Sequence, residues 1–370
     1  MKIVMIGPVY PYRGGIAHFT SALAEAIAGV GHEIKIISFK RQYPKFLYPG
    51  KSDRDPSAEV RQVKADFILD PLYPGTWNKA RQEIVKFEPE LVVFQWWTTF
   101  WAPAYGSMAR GLKKAGIKHV FLIHNVLPHE VRPWDRPMAQ YALSTADTFL
   151  TLSESQQIIV NRMFPQARVE IAPIPVYQVS AGIRMDQDEA KERLKIPAER
   201  KVVLFFGIVR PYKGLKLLVA AAGKLKRAGN PVHLLIAGEF WEAVDDYLKL
   251  IRDEQIEDWV TIDNRYIPNE EVPLFFSAAD VFAAPYVGGT QSAAVKLAMN
   301  YSIPIVITKT VSEDLESSGY PKLEVVVPND PESLATAIER SGNEGTTNPE
   351  LTTIINEWAI LTNTFSNITR

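Results

Sequence analysis

MKIVMIGPVYPYRGGIAHFTSALAEAIAGVGHEIKIIS, residues 1–38, is the stretch whose reading decides the fold. Lys2–Gly7 is a nearly unbroken apolar run, as expected of a strand covered on both faces. A turn containing Gly14 and Gly15 follows. From Ile16 to Val30 apolar residues recur at helical spacing, and Gly31 supplies the stop. Glu33–Phe39 is then a second apolar run. Strand, helix, strand in that order predicts a right-handed βαβ unit in a doubly wound parallel sheet. A secretory leader is a poorer reading, because the apolar core is only Ile3 to Ile6 and Gly7-Pro8 interrupts it.

Outward from this unit the pattern repeats. Further apolar bursts occupy Leu91–Gln95, His119–His124, Thr148–Ser153 and Val169–Ile174. After the Pro-rich stretch IAPIPVYQVSAG (171–182) the alternation starts again, with bursts at Val202–Gly207, Val232–Gly238, Val260–Asn264, Val281–Tyr286, Pro304–Thr308 and Leu323–Val327. Helical periods fall between them, notably Gly214–Ala228 and Ala293–Asn300. Pro173 and Pro175 suit a linker, since proline continues neither a ladder nor a helix. The expected architecture is α/β: two Rossmann-like doubly wound domains facing across a cleft, residues 1–177 and 178–349, with a C-terminal helix over 350–370 packing back on the first. A chain of 370 residues is long enough for two cores.

Composition narrows the class. With no cysteine, disulfides, thiolate nucleophiles and cysteine-type zinc sites are excluded. No apolar run approaches the roughly 18 residues of a membrane span. Residues 1–180 hold 21 Lys and Arg against 15 Asp and Glu, whereas the rest hold 20 against 27. A basic first half either faces an anionic acceptor or membrane surface or reflects scattered solvated side chains. Net charge near zero and the lack of a nucleic-acid-binding fold signal argue against a nucleic-acid partner.

Open α/β sheets bind ligands beyond the carboxyl ends of their strands, so function is sought in the loops that follow them. Gly14 and Gly15 let the backbone approach a diphosphate or sugar hydroxyl, and a helix start follows; a tight turn is the plainer alternative. His124 ends its strand beside Asn125, placed to orient a sugar hydroxyl or bonded to backbone in a half-buried site. Gln95-Trp96-Trp97-Thr98-Thr99-Phe100-Trp101 offers a stacking platform for an acceptor, with Trp96 and Trp97 as candidates, or fills the core. KRQYPKFLYPGK (40–51), starting with Lys40 and Arg41, reads as a phosphate- or lipid-contacting loop or as a solvated one. In the second half, Arg210 and Lys213 flank the glycine that opens a helix, an arrangement able to neutralise a diphosphate leaving group. Gly289, Thr290, Gln291 and Ser292 precede the next helix as a turn whose amides form a phosphate nest, with Thr290 or Ser292 as helix cap. No residue set forms a metal site.

The ordered motifs resemble glycosyltransferase family 4, whose members have the two-domain GT-B fold. GVGHEIKIIS (29–38), His124, FFGIVRPYKGLKLLVAA (205–221), LLIAGE (234–239), RYIPNEEVPLFFSAADVFAAPY (265–286) and NYSIPIVIT (300–308) carry the resemblance nearly end to end. It implies a retaining, metal-independent transfer from a UDP- or GDP-sugar to a saccharide or lipid-linked saccharide acceptor, in polysaccharide or glycan assembly, with no cofactor. It assigns Lys213 to the donor diphosphate, backbone around Tyr266 and Ile267 to the nucleobase, and His124 to the transferred sugar. Where the family usually has arginine, this chain has Ile208, and Arg210 stands in two residues later. The family's two glutamates, spaced eight apart, fall here at Gly289 and Leu297. A subgroup of the family carries Thr-Gln-Ser at this helix start, as this chain does at Thr290-Gln291-Ser292. Loss of both carboxylates leaves a catalytically silent binding protein or partner subunit as the alternative. The expected location is cytoplasmic, with peripheral contact at the inner membrane face.

Overall fold

Each apolar run becomes a strand in the computed structural model, which describes residues 1–58, 60–172, 174–175, 184–289, 292–341 and 352–369. In chain order the strands are β1 (Lys2–Ile6), β2 (Glu33–Phe39), β3 (Asp66–Leu69), β4 (Leu91–Trp96), β5 (His119–Ile123), β6 (Thr148–Thr151) and β7 (Arg168–Ile171). The second series is β8 (Val202–Phe206), β9 (His233–Ala237), β10 (Val260–Asp263), β11 (Val281–Ala284), β12 (Ile305–Thr308) and β13 (Leu323–Val326). They form two sheets, ordered β3-β2-β1-β4-β5-β6-β7 and β10-β9-β8-β11-β12-β13. All named pairings are parallel. Both sheets reverse their order of growth beside their first strand, between β1 and β4 and between β8 and β11. These are the topological switch points at which open α/β sheets hold ligands.

Sequence reading overlooked β3. It is a four-residue edge strand with only Leu69 buried, so it lacks the continuous apolar run of a central strand. The bases of the helices follow the expected spacing: Gly15–Gly29, Leu215–Arg227 and Ala293–Asn300 lie within a residue of the predicted bounds.

The chain divides into two compact units. One contains Met1–Asp55, Arg61–Tyr177 and Leu351–Arg370, the other Pro56–Val60 and Gln178–Glu350. The short piece Pro56–Val60 joins the second unit through hydrogen bonds: the Asn269 amide donates to Ser57 Oγ at 2.9 Å and the Ala58 amide to Glu270 Oε1 at 3.1 Å. The Pro-rich linker stretch lies largely outside the described residues.

The C-terminal helix Thr352–Thr369 packs on the helix Gly15–Gly29. Its Leu361 and Phe365 are fully buried, and Trp358 lies 6.1 Å from the Phe19 ring. Among the described residues no helix is long and apolar enough to cross a membrane. Phe365→Ala removes a buried ring and should cost the first unit about 3–5 kcal/mol. Urea unfolding followed by a probe in that unit checks this; a loss below 1 kcal/mol would mean the helix is not part of its core.

Candidate active site

In the second unit, two facing glycines bring the ends of β8 and β9 together. Gly238 has φ +150°, and a Cβ there would stand 2.1 Å from the Gly207 carbonyl oxygen. The following loops are zipped by the Val209 amide donating to Glu239 O (2.9 Å) and the Trp241 amide donating to Val209 O (3.1 Å). Arg210 then lies over the Trp241 ring, 5.4 Å from its centroid, and the Trp241 indole N–H donates to the buried Glu239 carboxylate at 3.2 Å. Sequence reading named neither Trp241 nor Glu239; LLIAGE announced a strand end, but not that its neighbour would form the bed for a cation from another loop.

The loops of the switch point are joined as closely. Tyr212 O accepts hydrogen bonds from the amides of Val287 (2.8 Å) and Gly288 (3.3 Å). Gly214 is left-handed at φ +68°, and a Cβ on it would strike Pro285 O at 2.0 Å. The Arg210–Gly214 turn and the turn after β11 therefore form one surface. On it, Lys213 Nζ lies 5.6 Å from the Tyr286 ring centroid and 3.1 Å from where a Cβ of Gly207 would be. No carboxylate pairs with Lys213 among the described residues. Burial, with the Arg210 guanidinium nearby, pushes its pKa down to about 8. A desolvated ammonium that pairs with no carboxylate among the described residues favours an anion beside it.

Tyr286 is buried, and its hydroxyl shares a 3.0 Å hydrogen bond with Ser292 Oγ. Ser292 stands at the N-cap of Ala293–Asn300, yet its side chain caps no helix amide. The expected capping by Ser292 is thus replaced by the bond to Tyr286, which leaves the first-turn N–H groups uncapped by that side chain. Thr290 and Gln291 lie outside the described residues. A Cβ on Gly289 would lie 3.5 Å from the Tyr212 ring of the neighbouring turn. Leu297, at the position of the family's second glutamate, is buried in the core of the second unit. So is the side chain of Ile267; Tyr266 is half-buried. Their loop is held by Arg265, which bonds Asp263 (Nε to Oδ1, 2.9 Å) and Glu271 (Nη1 to Oε1, 2.9 Å).

In the first unit, Gly14 (φ +104°) opens its helix without a side-chain cap, and Gly15 is exposed. One turn on, His18 Nε2 lies 3.4 Å from Asp55 Oδ2, whose side chain is 1% exposed. This pair escaped sequence reading because its members are far apart in the chain. At the switch point, the last residue but one of β4 is Gln95, fully buried and seated where a Cβ on Gly7 would meet its Cγ at 2.6 Å. Gln95 Nε2 points to Met5 Sδ at 3.1 Å, and Oε1 lies 2.7 Å from His124 Nε2. Desolvation pushes His124 down to about 3, so the ring is neutral at working pH. Its Nε2–H donates to Gln95, which leaves Nδ1 as a hydrogen-bond acceptor. Phe19 meets the same ring edge-on at 5.0 Å.

The acceptor candidates separate. Trp96 is fully buried and its indole N–H donates to Val126 O at 3.1 Å; with no face to offer, it leaves the stacking set. Trp97 is half-buried and bonds Tyr43 Oη at 3.0 Å. Arg41 pairs with the buried Asp70 carboxylate at 2.9 Å, and its side chain stays 40% exposed. Lys40 is exposed. Among the described residues, no group of three or more His, Cys, Asp or Glu is placed to hold a metal ion.

A family model described as glycosyltransferase family 4 matches residues 13–176, and one described as glycosyl transferases group 1 matches residues 200–342. The chain belongs to the family 4 glycosyltransferases. Its fold is that of solved GT-B transferases. Sucrose-phosphate synthase from Thermosynechococcus elongatus superimposes with a TM-score of 0.67 at 18% identity, covering 100% of this chain and 94% of that one. HepE from Anabaena, in complex with UDP-glucose, gives 0.67 at 17%, covering 100% and 94%. The catalytic domain of starch synthase IV from Arabidopsis thaliana, bound to ADP and acarbose, gives 0.67 at 14%, covering 100% and 98%. Among curated proteins none matches the chain in sequence.

Gln95→Leu should keep the fold but lose the acceptor that fixes the His124 ring, slowing transfer roughly ten- to a hundredfold while nucleotide affinity stays unchanged. Steady-state kinetics beside a binding titration test this; an unchanged kcat would remove Gln95 from the site.

Proposed function

We propose that this transferase moves a hexosyl group from a UDP- or GDP-sugar to a saccharide or lipid-linked saccharide acceptor, with retention at the anomeric carbon and without a metal ion. The observation that carries this is Lys213: a desolvated ammonium beside Arg210, on a turn hydrogen-bonded to the one that carries Gly289, at the switch point of the second sheet. A diphosphate supplies negative charge to Lys213, which pairs with no carboxylate among the described residues. HepE was solved with UDP-glucose and starch synthase IV with ADP, which supports a nucleotide sugar as donor.

As the glycosidic bond breaks, negative charge grows on the leaving diphosphate. Arg210, Lys213 and the first-turn amides of the helix after Ser292 stabilise it, and such preorganised charge is usually the largest catalytic contribution. Backbone at Tyr266 and Ile267 holds the base. The acceptor hydroxyl attacks from the face that the leaving group departs, and the leaving phosphate oxygen takes its proton. His124 Nδ1 accepts a hydrogen bond from a sugar hydroxyl and fixes the ring. Polar groups of the Gly14–Gly15 helix start face the acceptor side.

Thermal shift against UDP, GDP and their sugars identifies the donor, because a ligand of the folded state raises the melting temperature. Lys213→Ala should then reduce kcat about a hundred- to a thousandfold with the fold intact; near-normal turnover overturns the role. Since Lys213 carries its charge below about 8, affinity for the nucleoside diphosphate should fall as pH rises through that value. In Lys213→Met this dependence disappears; calorimetric titrations across the range would show a wild-type affinity flat to pH 10 if the assignment is wrong.

A further inference from the structure

The loops following β2 and β3 carry large apolar side chains into solvent. Phe46 is 82% exposed, Leu47 53%, Leu72 50% and Tyr73 59%. Between the loops is a hollow of about 190 Å³ lined wholly by apolar residues, with exposed Phe46, Leu47 and Leu72 at its mouth and buried Trp101 within. Ordered contacts hold it open: the Trp77 indole donates to Asp70 O at 2.8 Å, and Arg41 pairs with the same residue's carboxylate. Isolated apolar side chains on a surface need no explanation, but four on two adjoining loops around an apolar hollow mark an interaction site.

The charge of these loops selects the partner. Residues 40–51 contain Lys40, Arg41, Lys45 and Lys51 and no acid; residues 70–77 contain one, Asp70, which is buried against Arg41. Lys40, Lys45 and Lys51 are all exposed. Protruding apolar tips ringed by lysine complement a surface that is soft, apolar beneath and anionic outside. We propose that this end of the first unit docks on an anionic lipid bilayer. Phe46, Leu47 and Leu72 enter the acyl region, Tyr73 sits at headgroup depth, and the lysines meet lipid phosphates. The patch lies at the carboxyl ends of β2 and β3, the same side of the sheet on which β4 and β5 present Gln95 and His124. Four strand steps separate β3 from β5, about 19 Å. A bilayer bound here would deliver a lipid-linked acceptor along that edge.

The proposal deepens the reading of the acceptor as lipid-linked, but its test uses neither donor nor acceptor, so its failure leaves the transferase reading standing. Full-length protein is floated with vesicles of phosphatidylcholine alone and of phosphatidylcholine with phosphatidylglycerol. Wild type should rise only with the anionic vesicles, less so at high salt. Phe46→Ser/Leu47→Ser/Leu72→Ser should weaken binding more than roughly tenfold. Lys45→Gln, at an exposed loop position, should weaken it about fivefold and keeps the test decisive should the triple variant unfold. A cooperative urea unfolding transition of the first unit like that of wild type certifies each variant as folded. No flotation, equal flotation with neutral vesicles, or binding undiminished in both variants overturns the proposal. So does a wild-type dimer in sedimentation velocity that the triple variant abolishes in the absence of vesicle binding, since the patch would then belong to a second copy of the chain.

Discussion

An ammonium group held half out of water beside a guanidinium is the constraint on which the second unit's chemistry depends. Lys213 lies over Tyr286 and against Gly207, and desolvation together with Arg210 pulls its pKa down to about 8. Packing alone offers no reason to place a cation there, because both influences disfavour its charge. An anionic ligand reverses the sign of that balance. On the proposed function the same groups are preorganised for a diphosphate, so little reorganisation is needed when charge develops on the leaving group.

Backbone geometry makes the arrangement possible. Gly238 and Gly214 each stand where a Cβ would collide with a carbonyl oxygen of a neighbouring loop. Their absence of side chains lets three strand-end loops press together, so that Arg210, Lys213 and Gly289 share one surface. Opposite in chemistry, the first unit uses neutral groups. Burial keeps His124 an uncharged imidazole, Gln95 fixes its orientation, and the C-terminal helix backs it through Trp358 and Phe19. On the proposed function the two units divide the labour by charge: cations and amides for phosphate, oriented neutral groups for hydroxyls.

Much of this was legible in the residues. Central parallel strands are buried on both faces, so their apolar runs stand out, and Val202–Phe206 or Val281–Ala284 could hardly be missed. The edge strand β3 was not legible, because one solvated face removes that signal. At the site, Arg210 and Lys213 were readable because they sit in one strand-end loop. Trp241, Gln95 and the His18–Asp55 pair were not, because their meaning comes from contacts between loops far apart in sequence. The tryptophan cluster after β4 shows the limit from the other direction: composition suggested a platform, while burial makes Trp96 part of the core. The pairing of Arg41 with a buried carboxylate 29 residues away was likewise not legible in the sequence.

Whether the ammonium at position 213 is the diphosphate's partner is best asked of that atom. NMR of protein labelled at the lysine side-chain carbons, with Lys213→Met to assign the resonance, reads its titration directly. The midpoint should lie near 8 in the free protein and move upward when a nucleoside diphosphate is added. A midpoint at the ordinary lysine value, unmoved by nucleotide, would contradict the account.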